Sequence, residues 1–197
     1  ELGGTMARIA NCRIGFKTFF DEIKDDPNLQ VIRGASVTAA QRKADAFTVT
    51  LSDGNEVEAH RVIVAAGLSP YDPVEYKGKR VLTSLEYDAR IDQKSGELPE
   101  DFNKIGFFLC VGSRSKEYPL CSSVCCSYTI REVKWTLQRA KPEIAVFYND
   151  LRLFGQEFYL EKVYRDAGVR FVRANSRYFE EDEEGVTVRY FVDGVLR

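Results

Sequence analysis

Four of the five cysteines in this chain of 197 residues lie within seventeen residues, at Cys110, Cys121, Cys125 and Cys126. Four thiolates that converge in one turn can hold a metal ion or an iron–sulfur cluster. An apolar stretch of strand length, residues 104–110, precedes them, and a segment with helical periodicity follows. Because α/β proteins commonly bind ligands where a strand leads through a loop into a helix, the sequence predicts a metal site here, with iron–sulfur as the first choice.

Three other interpretations of the cysteines stay open. A disulfide between the adjacent Cys125 and Cys126 would be strained, since consecutive Cα atoms lie about 3.8 Å apart and a relaxed disulfide needs about 4.4–6.8 Å. Structural zinc usually takes its cysteines in two close pairs, whereas here one cysteine stands apart and three lie together. Buried cysteines can also be plain small apolar side chains, although four of them near Arg114 and Lys116 fit that less well.

The surrounding periodicity predicts the elements that would position these cysteines. Apolar residues at helical spacing predict one helix that includes Phe16–Ile23, a second over residues 122–139 with Ile130, Val133 and Leu137 as its apolar stripe, and a third that ends near Gly168. Apolar or alternating runs predict strands at residues 29–34, 36–41, 47–51, 61–67, 104–110, 144–148, 169–172, 177–181 and 186–192.

The residues around the cysteines resemble a known family. The stretches Phe108–Arg114 and Tyr118–Tyr128 resemble the iron–sulfur turn of the A subunit of heterodisulfide reductase, and they are similar to a turn in the flavoprotein subunit of the quinone-interacting membrane-bound oxidoreductase. The resemblance continues through Val81–Glu86 and Val146–Gly155 and spans most of the chain. It implies that the four clustered cysteines bind a [4Fe–4S] cluster.

The resemblance also implies the fold class: α/β, with two Rossmann-like units of the thioredoxin-reductase-like, two-dinucleotide-domain type, both incomplete. Residues 1–75 would form the C-terminal part of an FAD-binding-type domain, residues 76–103 a linker, and residues 104–197 an NAD(P)-binding-like domain that carries the cysteines. A shift of 140 residues lays Leu29–Arg33 over Val169–Arg173, which favours two related units. The chain begins without Met and closes within an expected strand, so we expect a piece of a longer protein.

In the first unit the resemblance implies contacts with a flavin. A Leu-Gly-Gly turn and an apolar run that ends in Ala-Ala-Gly would let the backbone approach the cofactor, because glycine has no Cβ. The residues expected to face it are Gly3, Gly4, Val37 (near the adenine), Ala65, Ala66 and Gly67. The chain contains no G-x-G-x-x-G phosphate loop, so FAD is expected in the full-length protein and not necessarily on this chain.

In the second unit a cluster would take the place of the nucleotide, since the first strand ends in Cys110-Val-Gly-Ser and not in a glycine-rich phosphate loop. The backbone amides of residues 111–113 and the charge of Arg114 would tune its potential. Asp150 stands where a ribose-binding acid would lie, although a helix cap or turn residue is the simpler interpretation.

The remaining polar residues indicate no other chemistry. His60 is the only histidine and stands at the entry to an expected strand, so no hydrolytic arrangement with a histidine is supported. Cys12 is either a buried free thiol or a residue that faces another cofactor. The acidic run Glu180–Glu184 is expected to be a solvated turn.

Composition excludes several classes of protein. The net charge is −2, with 44% hydrophobic and 29% charged residues, so there is no basic excess for nucleic acid. No apolar run approaches the ~20 residues of a membrane helix, so direct membrane insertion is not expected. Clustered cysteines without a recognisable export signal favour a cytoplasmic location.

The sequence therefore predicts the electron-transfer part of a heterodisulfide reductase A-like oxidoreductase, in which a [4Fe–4S] cluster relays electrons to or from FAD. By the same resemblance its partners would be other iron–sulfur or hydrogenase/reductase subunits of an electron-transfer complex, and no side chain is assigned as catalytic. Two alternatives remain: a zinc-stapled α/β module that binds a partner, and an NAD(P)H-dependent flavin reductase, against which the missing glycine loop argues.

Overall fold

The structure is a computed structural model, and it describes residues 4–5, 9–73, 76, 78–92, 102–174, 177–192 and 195–197. The fold is mixed α/β, and the chain divides into two compact units, residues 1–69 and 70–197. The described residues include four helices and nine strands, and the strands form three sheets of three strands each.

The described part of the first unit includes a helix and an antiparallel sheet. Helix α1, Ala10–Ile23, confirms the predicted amphipathic helix, and its Phe16 and Phe20 rings stack with centroids 6.1 Å apart. The sheet has the order β1-β2-β3 and is built from neighbouring strands joined by short turns. These strands are β1 (Val37–Lys43), β2 (Ala46–Leu51) and β3 (Glu56–Ala59).

Two predicted strands of the first unit are wrong. Residues 29–34 and 61–67 have no regular secondary structure, and Ile63 and Val64, expected to be buried, are 88% and 87% exposed. An apolar run shows that a segment can form a strand, but a strand also needs a neighbouring backbone to pair with. Among the described residues of this unit, the three strands of the antiparallel sheet pair only with one another.

The second unit is organised around a parallel sheet. Its strands follow the order β4-β5-β6, and a helix connects each to the next, which gives two consecutive βαβ units. This confirms the strands and helices predicted around the cysteines. The elements are α2 (Ser84–Asp92), β4 (Lys104–Phe108), α3 (Val124–Arg139), β5 (Glu143–Tyr148), α4 (Gln156–Asp166) and β6 (Arg170–Arg173).

The core of this unit lies between the parallel sheet and helices α2, α3 and α4. Ile130 and Val133, two members of the predicted apolar stripe, are fully buried on α3, and Cys126 lies one turn before Ile130 on the same face. They pack with Ile144 and Val146 of β5. Because β5 is covered in this way, the segments at its two ends are held in fixed positions relative to α3.

A second antiparallel sheet follows the parallel one. Its strands are β7 (Arg177–Glu181), β8 (Val186–Val192) and β9 (Val195–Leu196). The predicted internal repeat has a structural counterpart, because β1 and β7 begin at Val37 and Arg177, and β2 and β8 begin at Ala46 and Val186, both 140 residues apart.

The acidic run at the β7–β8 turn is more than a solvated loop. The Glu181 carboxylate accepts hydrogen bonds from the backbone N–H groups of Lys79 and Arg80, at 3.0 and 3.1 Å. The Arg80 guanidinium in turn donates to the carbonyl oxygens of Asp182 and Glu183, at 2.8 and 3.1 Å. The acidic run therefore connects the β7–β8 turn by hydrogen bonds to the segment before α2. The sequence pattern does not predict this connection.

The buried acid Glu132 gives a first prediction, on stability against pH. Glu132 of α3 is 2% exposed, and neither carboxylate oxygen accepts a hydrogen bond. Burial, and then the nearby carboxyl of Asp88 on α2, raise the pKa of Glu132 well above its usual range. The carboxyl is thus neutral in the fold and ionises more readily when unfolded, so the folded state loses stability as the pH rises above about 4.5.

Glu132→Gln should remove this part of the pH dependence. We expect the free energy of unfolding of the wild type to fall between about pH 5 and the folded pKa, by up to ~1.4 kcal/mol per pH unit, and the variant to show a flatter profile. Urea unfolding at a series of pH values measures both. Equal slopes for the two proteins would show that Glu132 does not retain its proton in the fold.

Candidate metal centre

The four clustered cysteines lie in and directly after the loop that joins β4 to α3. Three residues of this segment, Cys110, Arg114 and Ser123, have left-handed backbone angles, with φ of 64°, 57° and 59°. Only one other described non-glycine residue, Ala44, has a positive φ. Left-handed conformation costs about 1–2 kcal/mol for a residue with a Cβ, and such strain concentrates at functional sites. The loop, residues 110–123, is called the cysteine turn below.

Backbone hydrogen bonds fix the cysteine turn. The N–H of Leu109 continues the sheet by donating to the Phe147 carbonyl at 2.9 Å. Within the turn, Arg114 N–H donates to the Leu120 carbonyl at 3.3 Å, and Ser113 N–H to the Cys110 carbonyl at 3.4 Å. One amide expected to tune a cluster, that of Ser113, is thus already engaged with a carbonyl.

Other amides do reach sulfur. The N–H of Ser123 donates to Cys121 Sγ at 3.3 Å, and the N–H of Arg152 donates to Cys126 Sγ at 3.4 Å. Sequence reasoning missed both donors. Arg152 follows β5 and is distant in sequence from the cysteines, so only the parallel pairing of β4 with β5 brings it to the site. Amide donors to sulfur stabilise negative charge on a thiolate.

Cys125 and Cys126 lie in the first turn of α3, where the partial positive charge of a helix N-terminus favours thiolates. The side chain of the adjacent Cys126, and then backbone amides that include that of Cys110, lower the pKa of Cys125 to about 6. The same pairing and burial raise the pKa of Cys126. Cys110 thus influences the ionisation of both Cys125 and Cys126.

All four cysteines are free thiols, so no disulfide joins them. Within the described ranges, no three residues among cysteine, histidine, aspartate and glutamate are arranged to hold a metal ion. The structure thus gives Cys121 and Cys126 each an amide donor, without showing the four cysteines converged. Convergence on one metal group stays a prediction.

The chemistry of the site nevertheless fits a thiolate-bound group. Four free thiols with amide donors to sulfur are the donor set that iron–sulfur clusters use. Two buried polar side-chain atoms here, Ser127 Oγ in the first turn of α3 and Asn149 Oδ1 directly after β5, have no hydrogen-bond partner. Buried polar groups are almost always paired, and these two atoms belong to residues that directly follow Cys126 and β5 in the sequence.

Asp150 lies in a bend two residues after β5, which is consistent with the turn residue considered from the sequence, and a ribose-binding role stays untested. Its carboxylate forms ion pairs with Arg152 Nε at 3.2 Å and with Arg114 Nη2 at 3.8 Å. Arg114 belongs to the cysteine turn, and the backbone of Arg152 contacts Cys126 Sγ. The loop after β5 is therefore a second wall of the candidate site.

The residues expected to contact a flavin lie in the first unit. Gly3 is outside the described residues, and Gly4 has a φ of 50°. Val37 begins β1 and is exposed, and Ala65, Ala66 and Gly67 lie in the exposed segment without regular structure. No contact among the described residues tests their role, so flavin binding stays a prediction.

Cys12 and His60 both belong to the first unit. Cys12 lies on α1, but its side chain is outside the described part of the chain. His60 is exposed directly after β3, and its carbonyl oxygen accepts a hydrogen bond from the Arg61 side chain at 2.8 Å. Among the helices that the structure describes, none is long and apolar enough to cross a membrane.

Comparison with known proteins identifies relatives of the chain. It is 30% identical over 159 residues to the A subunit of the H(2):CoB-CoM heterodisulfide,ferredoxin reductase of Methanothermobacter thermautotrophicus, and the match covers 68% of this chain and 23% of the relative. It is 32% identical over 148 residues to the second iron-sulfur A subunit of the CoB–CoM heterodisulfide reductase of Methanopyrus kandleri, with 66% and 23% covered. No protein-family model matches the chain.

The matches explain the resemblance seen around the cysteines. Both relatives are A subunits of heterodisulfide reductases, and the chain spans about a quarter of their length. By sequence, the chain is a relative of the heterodisulfide reductase A subunits.

Proposed function

We propose that this chain is the electron-transfer part of an oxidoreductase of the heterodisulfide reductase A type. Cys110, Cys121, Cys125 and Cys126 would hold a [4Fe–4S] cluster, which when bound supplies one-electron transfer. The observation that carries the proposal is the set of amide donors to thiol sulfur at the junction of β4 and α3. The name of the Methanopyrus relative, an iron-sulfur subunit, supports it.

The protein would contribute geometry and charge. Cys110 lies two residues after β4, and Cys125 and Cys126 lie in the first turn of α3, so two of the four ligands come from a helix and a third follows a strand. The amides of Ser123 and Arg152 would stabilise the negative sulfurs. Burial of Cys126, which is 1% exposed, keeps water away from one side of the site.

The first unit would serve a flavin in the larger protein. Residues 1–75 would belong to an FAD-binding-type domain and residues 104–197 to a Rossmann-like domain in which the cysteine turn replaces the nucleotide loop, with residues 76–103 as a linker. The two βαβ units of the second unit support the second assignment. The partners would be further subunits of a reductase complex, as the relatives' names as subunits suggest.

Metal analysis of protein purified without oxygen tests the proposal. We expect about four iron and four acid-labile sulfide per chain, with a broad absorption band near ~400 nm. Zinc bound without sulfide would contradict electron transfer and make the cysteine turn a structural staple. If the chain as purified holds no metal, anaerobic addition of iron and sulfide must restore the band, and failure to do so would contradict the proposal.

A further inference from the structure

Asp150 forms ion pairs with both walls of the candidate site. Its carboxylate lies 3.2 Å from Arg152 Nε and 3.8 Å from Arg114 Nη2. Exposed fractions of 43%, 48% and 26% for Asp150, Arg152 and Arg114 place the group at the protein surface. Such pairs contribute little to stability, so the place of this carboxylate between the two walls matters more than the strength of its ion pairs.

Both partners of Asp150 contact the cysteine turn. Arg114 lies within it and has a left-handed backbone, with a φ of 57°. Arg152 donates its backbone N–H to Cys126 Sγ at 3.4 Å. The carboxylate therefore joins two guanidinium groups, one from each wall of the candidate site.

We propose that Asp150 partly neutralises the guanidinium groups of Arg114 and Arg152 at the cysteine turn and so lowers the midpoint potential of a bound cluster. The inference rests on the proposed function, since it concerns the environment of the cluster. It differs from the nucleotide-binding role considered from the sequence, in which the same carboxylate would bind a ribose hydroxyl.

The charges of these side chains predict in which direction each substitution shifts the midpoint potential of the cluster. Reduction adds one negative charge to a cluster, so each positive neighbour favours the reduced form and each negative neighbour opposes it. Asp150→Asn removes a negative charge and leaves both guanidinium groups without it, so the midpoint potential should rise. Arg114→Gln removes a positive charge, so the potential should fall. A merely structural role for either residue would not give shifts of opposite sign.

Glu143 provides a matched control at the opposite end of β5. It also bridges two cations, Arg170 at 3.0 Å and Lys104 at 3.8 Å, and it is 50% exposed. Strand β5 spans roughly 17 Å from Glu143 to Tyr148 at ~3.3 Å per residue, which exceeds the Debye length of about 10 Å at 0.1 M salt. Glu143→Gln changes the net charge as Asp150→Asn does, but far from the cysteines.

The test is a redox titration of the full chain, monitored by electron paramagnetic resonance, at low salt and without oxygen. The one-electron reduction constant should rise up to about tenfold in Asp150→Asn, equal to ~59 mV. It should fall in Arg114→Gln, return near wild type in the double variant, and stay unchanged in Glu143→Gln.

The outcomes separate the two claims. Equal potentials for Asp150→Asn and Glu143→Gln, or shifts of the same sign for Asp150→Asn and Arg114→Gln, overturn the charge-neutralising role of Asp150 while the cluster stands. A wild-type chain that holds no iron and sulfide even after anaerobic reconstitution overturns the proposed function, and the role of Asp150 with it. High salt should reduce the difference between Asp150→Asn and wild type, because salt screens exposed charges.

Discussion

Cys126→Ser should leave the protein without iron. Cys126 is the most buried of the four cysteines, at 1% exposed, and its sulfur accepts a hydrogen bond from the Arg152 amide. Serine would replace its soft thiolate by an oxygen, which is a poor ligand for an iron–sulfur cluster. We expect the iron content to fall from about four per chain to below about one, with loss of the ~400 nm band. Iron and sulfide analysis of protein purified without oxygen measures the change.

Controls separate ligand loss from a loss of structure. Cys12→Ser changes the fifth cysteine, which lies on α1 of the other unit, and should keep its iron. Circular dichroism should show that Cys126→Ser retains its secondary structure, since removing a buried sulfur costs only about 1–2 kcal/mol. Serine variants of Cys110, Cys121 and Cys125 should behave as Cys126→Ser does. Full iron content in all four variants would contradict the ligand assignment.

Gly112→Ala should distort the cysteine turn itself. Gly112 has a φ of 69°, and a Cβ added there would collide with the ring of Tyr71. Left-handed strain costs about 1–2 kcal/mol, and overpacking against a ring adds about 1–3 kcal/mol. We therefore expect the free energy of unfolding to fall by about 2–5 kcal/mol in urea titrations, together with a loss of bound iron.

Two comparisons show whether the collision or the backbone angle is responsible. Gly168 also has a left-handed φ, 92°, but a Cβ there meets nothing within 4 Å, so Gly168→Ala should show only the strain. Replacing Tyr71 by alanine should reduce the cost of Gly112→Ala to that of Gly168→Ala. A cost for Gly112→Ala that stays the same in the Tyr71→Ala background would contradict the steric explanation.

Periodicity correctly predicted the helix and the strand that are buried in the core of the second unit. The stripe with Ile130 and Val133 on α3 and the apolar run of β5 are confirmed because the surfaces that cover them are both in the second unit. The same reasoning was wrong for residues 61–67, which are equally apolar, because a run of side chains carries no information about the backbone it pairs with.

The sequence predicted which residues form the candidate site, but not how they are arranged in space. The cysteines stand out by type and spacing, so the turn could be located from the sequence. The Arg152 amide and the Asp150 ion pairs depend on the register in which β5 lies beside β4, since Phe108 pairs with Phe147 and thereby sets the loop after β5 against the turn. Register follows from packing across the sheet, which a single sequence pattern does not contain.

The exposed Val-Ile-Val segment of the first unit has a consequence for the behaviour of the protein in solution. Residues 62–64 are β-branched, uncharged and exposed, and such stretches can dock edge to edge on a second molecule. Concentrated samples of this chain should therefore associate through a surface unrelated to the cysteines. Ile63→Lys should slow this association in light-scattering measurements while leaving the iron content unchanged, because a charge at that position opposes strand pairing between molecules.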